Sequence, residues 1–205
     1  MAEEYVTLAE LRQWIGVGDS YDDPILSAAI ATAENQVDEF CGRTFTLTDT
    51  VEARWLDGTA YDGMILPYDI ATTTGLLVST DDNFDGIAET LWTINTHFTL
   101  LPANGIGPDG RSGWPYTQIR NVRSTRWFPY GANAIQITAR WGWTTVPANV
   151  RQATLILAAE TVKLKDAPLG VAGFGDLGLI RVRENPIVAR LLSRYMHPLS
   201  AVPVA

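Results

Sequence analysis

Apolar positions recur with two periods along this chain, a helical one near both ends and a two-residue one in the middle. The change of period predicts where helices give way to strands. Thr7-Leu8-Ala9-Glu10 reads as a capping box, with the threonine oxygen and the glutamate three residues on satisfying orphan amides at a helix start. Leu8, Leu11 and Trp14 or Ile15 then share a face, and Gly16 to Gly18 ends the helix. A second helix opens at Asp22-Asp23-Pro24, with proline in the first turn and carboxylates at the positive end of the helix dipole. Its stripe is Leu26, Ile30, Ala33, Val37 and Phe40, and Gly42 breaks it. The two form a helical hairpin.

From Thr44 to Thr145 short β-branched and aromatic runs alternate with Gly, Pro, Asn and Asp clusters, as antiparallel strands and turns do. The clearest strand is Ala134 to Trp143, which puts Ile135, Ile137, Ala139, Trp141 and Trp143 on one face and Gln136, Thr138 and Arg140 on the other. Leu76 to Ser79, Leu91 to Asn95 and Phe98 to Leu101 read as further strands. Helical spacing returns after Val146-Pro147, where Val150, Ala153, Thr154, Leu157, Ala158 and Thr161 form one side and Leu155, Ile156 and Ala159 much of the other. A helix apolar on most faces is expected at the centre of several partners. A glycine-rich stretch, Gly170 to Gly178, and Leu179 to Arg183 follow. Asn185-Pro186 caps a last helix with the stripe Ile187, Val188, Leu191, Leu192 and Tyr195. The expected fold is α+β: a four-helix core formed by residues 1–48 and 146–205, with an antiparallel β-rich lobe, residues 49–145, inserted between them.

With 205 residues, 46% of them hydrophobic, the chain is long and apolar enough to bury a sizeable core. It shows no basic, apolar leader and no apolar run near the roughly 18 residues of a membrane span, so a soluble protein made in the cytoplasm is expected. Cys41 is the only cysteine and His97 and His197 the only histidines, which excludes an intrachain disulfide and a zinc set of the common Cys/His type. His97 reads as a structural residue and His197, beside Pro198, as an exposed one. Charge is unevenly distributed: residues 1–42 carry −8, residues 43–110 another −8, and residues 111–205 +8. Either complementary surfaces meet, within the fold or between neighbouring copies, or both sets are solvated faces.

Four sequence features bear on chemistry. In Thr80 to Thr90, "TDDNFDGIAET", Asp81, Asn83, Asp85 and Glu89 with Gly86 match the first half of a calcium loop. The twelfth position is Trp92 rather than glutamate and the flanks are strand-like, so the same residues also suit a strand connection, with Gly86 at positive φ. Calcium on Asp81, Asn83, Asp85 and Glu89 stands as the alternative, and no cofactor is required. Gly173-Phe-Gly175-Asp-Leu-Gly178 has the spacing of a dinucleotide loop, but a helix precedes it and a strand-like run follows, the reverse of what pyrophosphate binding needs. No nucleophile elbow or base context appears, and no enzyme activity is expected. Six of the seven tryptophans lie between Trp55 and Trp143, which beside a calcium-like loop admits a calcium-dependent carbohydrate-binding β module as the alternative function.

The ends of the chain resemble the head-to-tail connector (adaptor) proteins of long-tailed bacteriophages. The residues that carry the likeness are "YVTLAELRQWIGVGDSYDDPILSAAIATAENQVDEFCGRTF" at 5–45 and "ARWGWTTVPANVRQATLILAAETVKLKDAPLGVAGFGDLGLIRV" at 139–182. "LPYDI" at 66–70 and "DDNFDGIAETLW" at 81–92 are similar to the actinobacterial-phage branch. The resemblance implies a structural virion protein at the capsid vertex. It would form a ring, twelve-fold like the portal, that seats on the portal, receives the stopper or head-completion protein, and lines a channel through which double-stranded DNA passes. No membrane is involved. It further implies a portal-engaging segment from Asp166 to Ala205, with Phe174, Arg181, Arg183 and Tyr195 as the expected anchors.

Overall fold

The computed structural model describes residues 4–16, 23–58, 63–122, 126–166 and 185–197. The chain divides into two compact units, one formed by Glu3–Phe45 with Val146–Ala205 and one by Thr46–Thr145. It is an α+β fold of terminal helices with an inserted β lobe.

In the helical unit, α1 spans Leu8–Ile15 and α2 Asp23–Cys41. Both halves of the Thr7/Glu10 capping box are formed, and Gly16 closes α1 in the left-handed conformation at φ 74°. Gly42 does the same for α2 at φ 63°, its N–H donating to Asp38 O at 2.8 Å. α3, Ala148–Asp166, packs against α1, α2 and the short α4, Pro186–Leu192, which makes it the central helix its apolar faces predict. Asn185 caps α4, its side-chain oxygen accepting from Ile187 N and Val188 N. Leu11, Leu26, Ala33, Val37, Phe45, Val150, Leu157, Val188 and Leu192 are buried in this unit. Ile187, expected in the α4 stripe, is 57% exposed. The helix is only seven residues long and buries Val188 and Leu192, one narrow line on which Ile187 does not lie.

Among the described residues the lobe has seven strands: β1 Glu52–Gly58, β2 Met64–Ile65, β3 Leu77–Thr80, β4 Thr90–Trp92, β5 Phe98–Leu101, β6 Gln118–Asn121 and β7 Gly131–Ala139. They form a four-stranded sheet in the order β1-β7-β3-β4 and a three-stranded sheet in the order β2-β6-β5, with every named pairing antiparallel. Ile135, Ile137, Val78 and Trp92 of the first sheet and Ile65, Ile119, Phe98 and Leu100 of the second share one core. Beyond β7 the chain keeps its alternation, so Trp141 and Trp143 are buried as expected. Their indole N–H groups donate to Glu52 O and to Asp69 Oδ2, both at 2.9 Å. Gly142 between them has φ 100°, and a Cβ there would sit 1.7 Å from Thr46 O. Only glycine lets the two ends of the lobe approach this closely, which gives the Trp-Gly-Trp sequence its structural meaning.

Candidate functional site

The loop from Asp81 to Glu89 joins β3 to β4, as a strand connection rather than a helix-flanked calcium loop. Asp81 is 2% exposed, and its two carboxylate oxygens accept the backbone N–H groups of Asp85 at 3.2 Å and Gly86 at 2.7 Å. Asn83 Oδ1 also accepts from Asp85 N, and Asn83 Nδ2 donates to Asp85 Oδ2 at 3.0 Å. Asp85 Oδ1 in turn accepts Ile87 N at 2.9 Å. The turn is thus closed by its own acidic side chains, with Gly86 at φ 88° as its sequence predicts, and Phe84 also at positive φ, 61°. Asp82 holds the flanking strands, accepting from Thr80 Oγ1 at 2.9 Å and Thr90 Oγ1 at 2.7 Å.

Carboxylate oxygens of Asp81, Asp85 and Glu89 come within 4.8 Å of one another, so three of the four expected ligands are brought together. The fourth, Asn83, lies against them too, its Nδ2 donating to Asp85 Oδ2. Beside them lies a pocket of about 380 Å³ lined by Trp55, Asp81, Phe84, Gly86, Ala132 and Asn133. Sequence reasoning did not single out Trp55 or Asn133. β1 carries charged residues on both sides of Trp55, which hides its alternation, and Asn133 lies at the register shift of the β1–β7 pairing, its N–H held by the distant Asp57, with no local motif to mark it.

A second constellation is buried in the helical unit where α2 ends. Tyr5 Oη donates to Asp38 Oδ1 at 2.6 Å and accepts Phe45 N at 2.7 Å. Tyr5 and Tyr195 each meet the Phe45 ring edge-on, at 5.9 and 6.0 Å between centroids. His197 N donates to Cys41 O at 2.7 Å and Arg43 Nη2 to Met196 O at 3.3 Å, so the Cys-Gly-Arg-x-Phe sequence ties α2 to the segment after α4. His197 is only 4% exposed, against the expectation of an exposed residue: this tie draws it in beside Cys41. Burial pushes the Cys41 thiol up to about 12, which leaves it no nucleophile at neutral pH. Tyr195 is likewise buried, its ring against Phe45. Phe174, Arg181 and Arg183, with the glycine stretch of 170–178, lie outside the described residues. His97 Nδ1 accepts Thr93 N at 2.8 Å, a structural role.

Of three comparisons with known proteins, two found a likeness. The model of the phage gp6-like head-tail connector protein family matches residues 5–80. No curated protein matches the chain. Among solved structures, a chain of the virion of a native gene transfer agent particle is 16% identical and superposes with a TM-score of 0.53, covering 96% of this chain and 95% of its own. That likeness is one of fold. Chains from the neck of the empty particle, computed with C6 symmetry, and of the native particle, computed with C12 symmetry, are 16% and 17% identical over 96% of this chain. They cover 95% and 94% of their own chains, both with a TM-score of 0.49. The matched residues 5–80 hold the capped helix pair and one side of the Cys-Gly-Arg-x-Phe tie, and it is over these that the chain is similar to the gp6-like head-tail connector proteins.

Proposed function

We propose that this chain is a head-tail connector of the virion, forming a closed ring between the portal and the stopper or head-completion protein, twelve-fold to match the portal, with a central channel through which double-stranded DNA passes. The observation that carries the reading is the family match across the helix pair and the first strands, residues 5–80. The division of charge supports it: an acidic front and a basic back give each copy two unlike surfaces, the requirement of a heterologous contact that closes into a ring. The portal-engaging part is the segment from Asp166 to Ala205, with Phe174, Arg181 and Arg183 as its anchors, since aromatic and arginine side chains dominate interface centres. Tyr195 supports that segment from inside, through its packing on Phe45. The role is structural, with no catalytic step.

The test is to mix the purified protein with portal-bearing heads and image the vertices. One ring per portal vertex is expected, and its loss on deletion of residues 168–178 with the circular dichroism spectrum unchanged. Heads that recruit the truncated protein as well as the full chain would refute the assignment of that segment, and heads that recruit neither would refute the reading as a whole.

A further inference from the structure

The two sheets of the β lobe turn faces of different chemistry outward. Cross-strand register places Trp55, Gln136, Ser79 and Leu91 in one row and Ala53, Thr138 and Leu77 in the next. Both rows lie on the side of the four-stranded sheet away from Ile135 and Ile137, whose side chains are in the core. Trp55 is 37% exposed, Leu77 54% and Leu91 58%, so this face presents three large apolar side chains outward. The pocket lined by Trp55 and Phe84 opens beside it, and Asp81 and Asn133 are its polar lining. Asp57, which accepts Asn133 N at 2.8 Å, and the exposed Asp85 and Glu89 stand next to that lining, which among the described residues contains no cationic side chain.

The three-stranded sheet has the opposite character. Ile65, Ile119 and Leu100 form its inward row, so the alternate row, Met64, Arg120 and Thr99, faces out. Arg120 is exposed, its guanidinium lying 3.9 Å from Met64 Sδ. Because both sheets cover one core, the two outer faces look away from each other and cannot meet within one copy. An apolar face edged by carboxylates and a face bearing an arginine and a thioether are complementary between copies. Guanidinium groups are weakly hydrated, stack on indole rings and pair with carboxylates, so arginine suits such a contact better than lysine.

We propose that the Trp55–Leu91 face of one copy receives the Arg120 face of the next, and that this contact, repeated head to tail, is a seam of the ring. The proposal rests on the ring reading above. The seam desolvates Leu77, Leu91 and part of Trp55, and sets Arg120 of one copy against the acidic pocket edge of its neighbour.

Leu91→Cys, labelled with a benzophenone maleimide, tests it, because the native Cys41 is buried and does not compete. Irradiated rings assembled on portal-bearing heads should give cross-links between copies that map to residues 112–121 or Met64. Arg120→Glu and Leu91→Glu should each raise the protein concentration needed for half-maximal ring assembly at least 10-fold. Both side chains point outward, so melting temperatures should stay unchanged. Wild-type protein that forms no ring on such heads would overturn the ring reading and the seam together. Wild-type rings whose Leu91 cross-links lie elsewhere, or an Arg120→Glu protein that assembles at the wild-type concentration, would overturn the seam alone.

Discussion

Asp38 sits where α2 meets Tyr5 and carries a clear pH response. Burial pushes its carboxyl up to about 6 against the bond from Tyr5 Oη, which lowers it, while nearby Glu34 adds to the rise. A carboxyl that binds its proton more tightly when folded favours the folded state at low pH. Its contribution is fully present below the unfolded value near 3.8 and is lost as pH rises through about 6. We expect Asp38→Asn, which keeps an acceptor for Tyr5, to raise the melting temperature at pH 7.5 by about 2–4 °C and to flatten the slope between pH 4 and 6. Thermal melts of both proteins across that range check it, and an unaltered slope would refute the assignment. Asp81 is buried with both carboxylate oxygens on backbone N–H groups of its own turn. Asp81→Ala should therefore cost about 2–3 kcal/mol by leaving those amides unpaired. Wild-type protein in EDTA should melt within about 1 °C of protein in millimolar calcium; a rise of several degrees with calcium would instead establish Asp81, Asp85 and Glu89 as ligands.

Between elements, glycine geometry decides more than strand propensity does. The bridge between Leu47 and Gly142 fastens the entrance of the lobe to its exit, and a side chain at position 142 would collide with Thr46 O. Gly142→Ala should lower stability by about 3 kcal/mol or more, from strain at φ 100° added to the steric clash; urea denaturation measures it. Elements that advertised themselves by local chemistry were legible in the sequence: the Thr7/Glu10 box, the Asn185 cap, the apolar α3 and the alternation of β7 all form as their residues predict. β1 and β6 were not, because "EARWLDG" and "QIRN" are strongly polar and become strands only through pairing with β7 and with β2 and β5. The same holds for the pocket. Trp55, Phe84 and Asn133 come from three segments that only the sheet register brings together, whereas Asp81, Asp85 and Glu89 share one loop and could be found by spacing. The burial of His197 was hidden for a like reason, since its partner is the carbonyl of Cys41, far away in sequence.

At the scale of the molecule, the inserted lobe enters and leaves at one point. Thr46 O accepts Trp143 N at 3.3 Å, Thr48 N donates to Trp141 O at 2.9 Å, and the lobe has its own core of Ile70, Val78, Ile119, Ile135, Ile137 and Trp141. An insertion whose ends are hydrogen-bonded neighbours and whose core is its own should fold when excised. Residues 46–145 expressed alone should therefore unfold in one cooperative transition, with blue-shifted emission from the buried Trp92, Trp141 and Trp143. The reciprocal chain, with residues 46–145 replaced by a short Gly/Ser linker, should keep its helical circular dichroism, since the Tyr5–Asp38–Phe45 contacts and the packing of α1, α2 and α4 on α3 lie wholly outside the lobe. If the lobe carries a seam of the ring, that lobe-free chain should still bind portal-bearing heads through its C-terminal segment. It should do so as scattered single copies, because neighbours have lost the surfaces that hold them together. Complete rings from the lobe-free chain would show that the helical unit closes the ring by itself and would move the seam there.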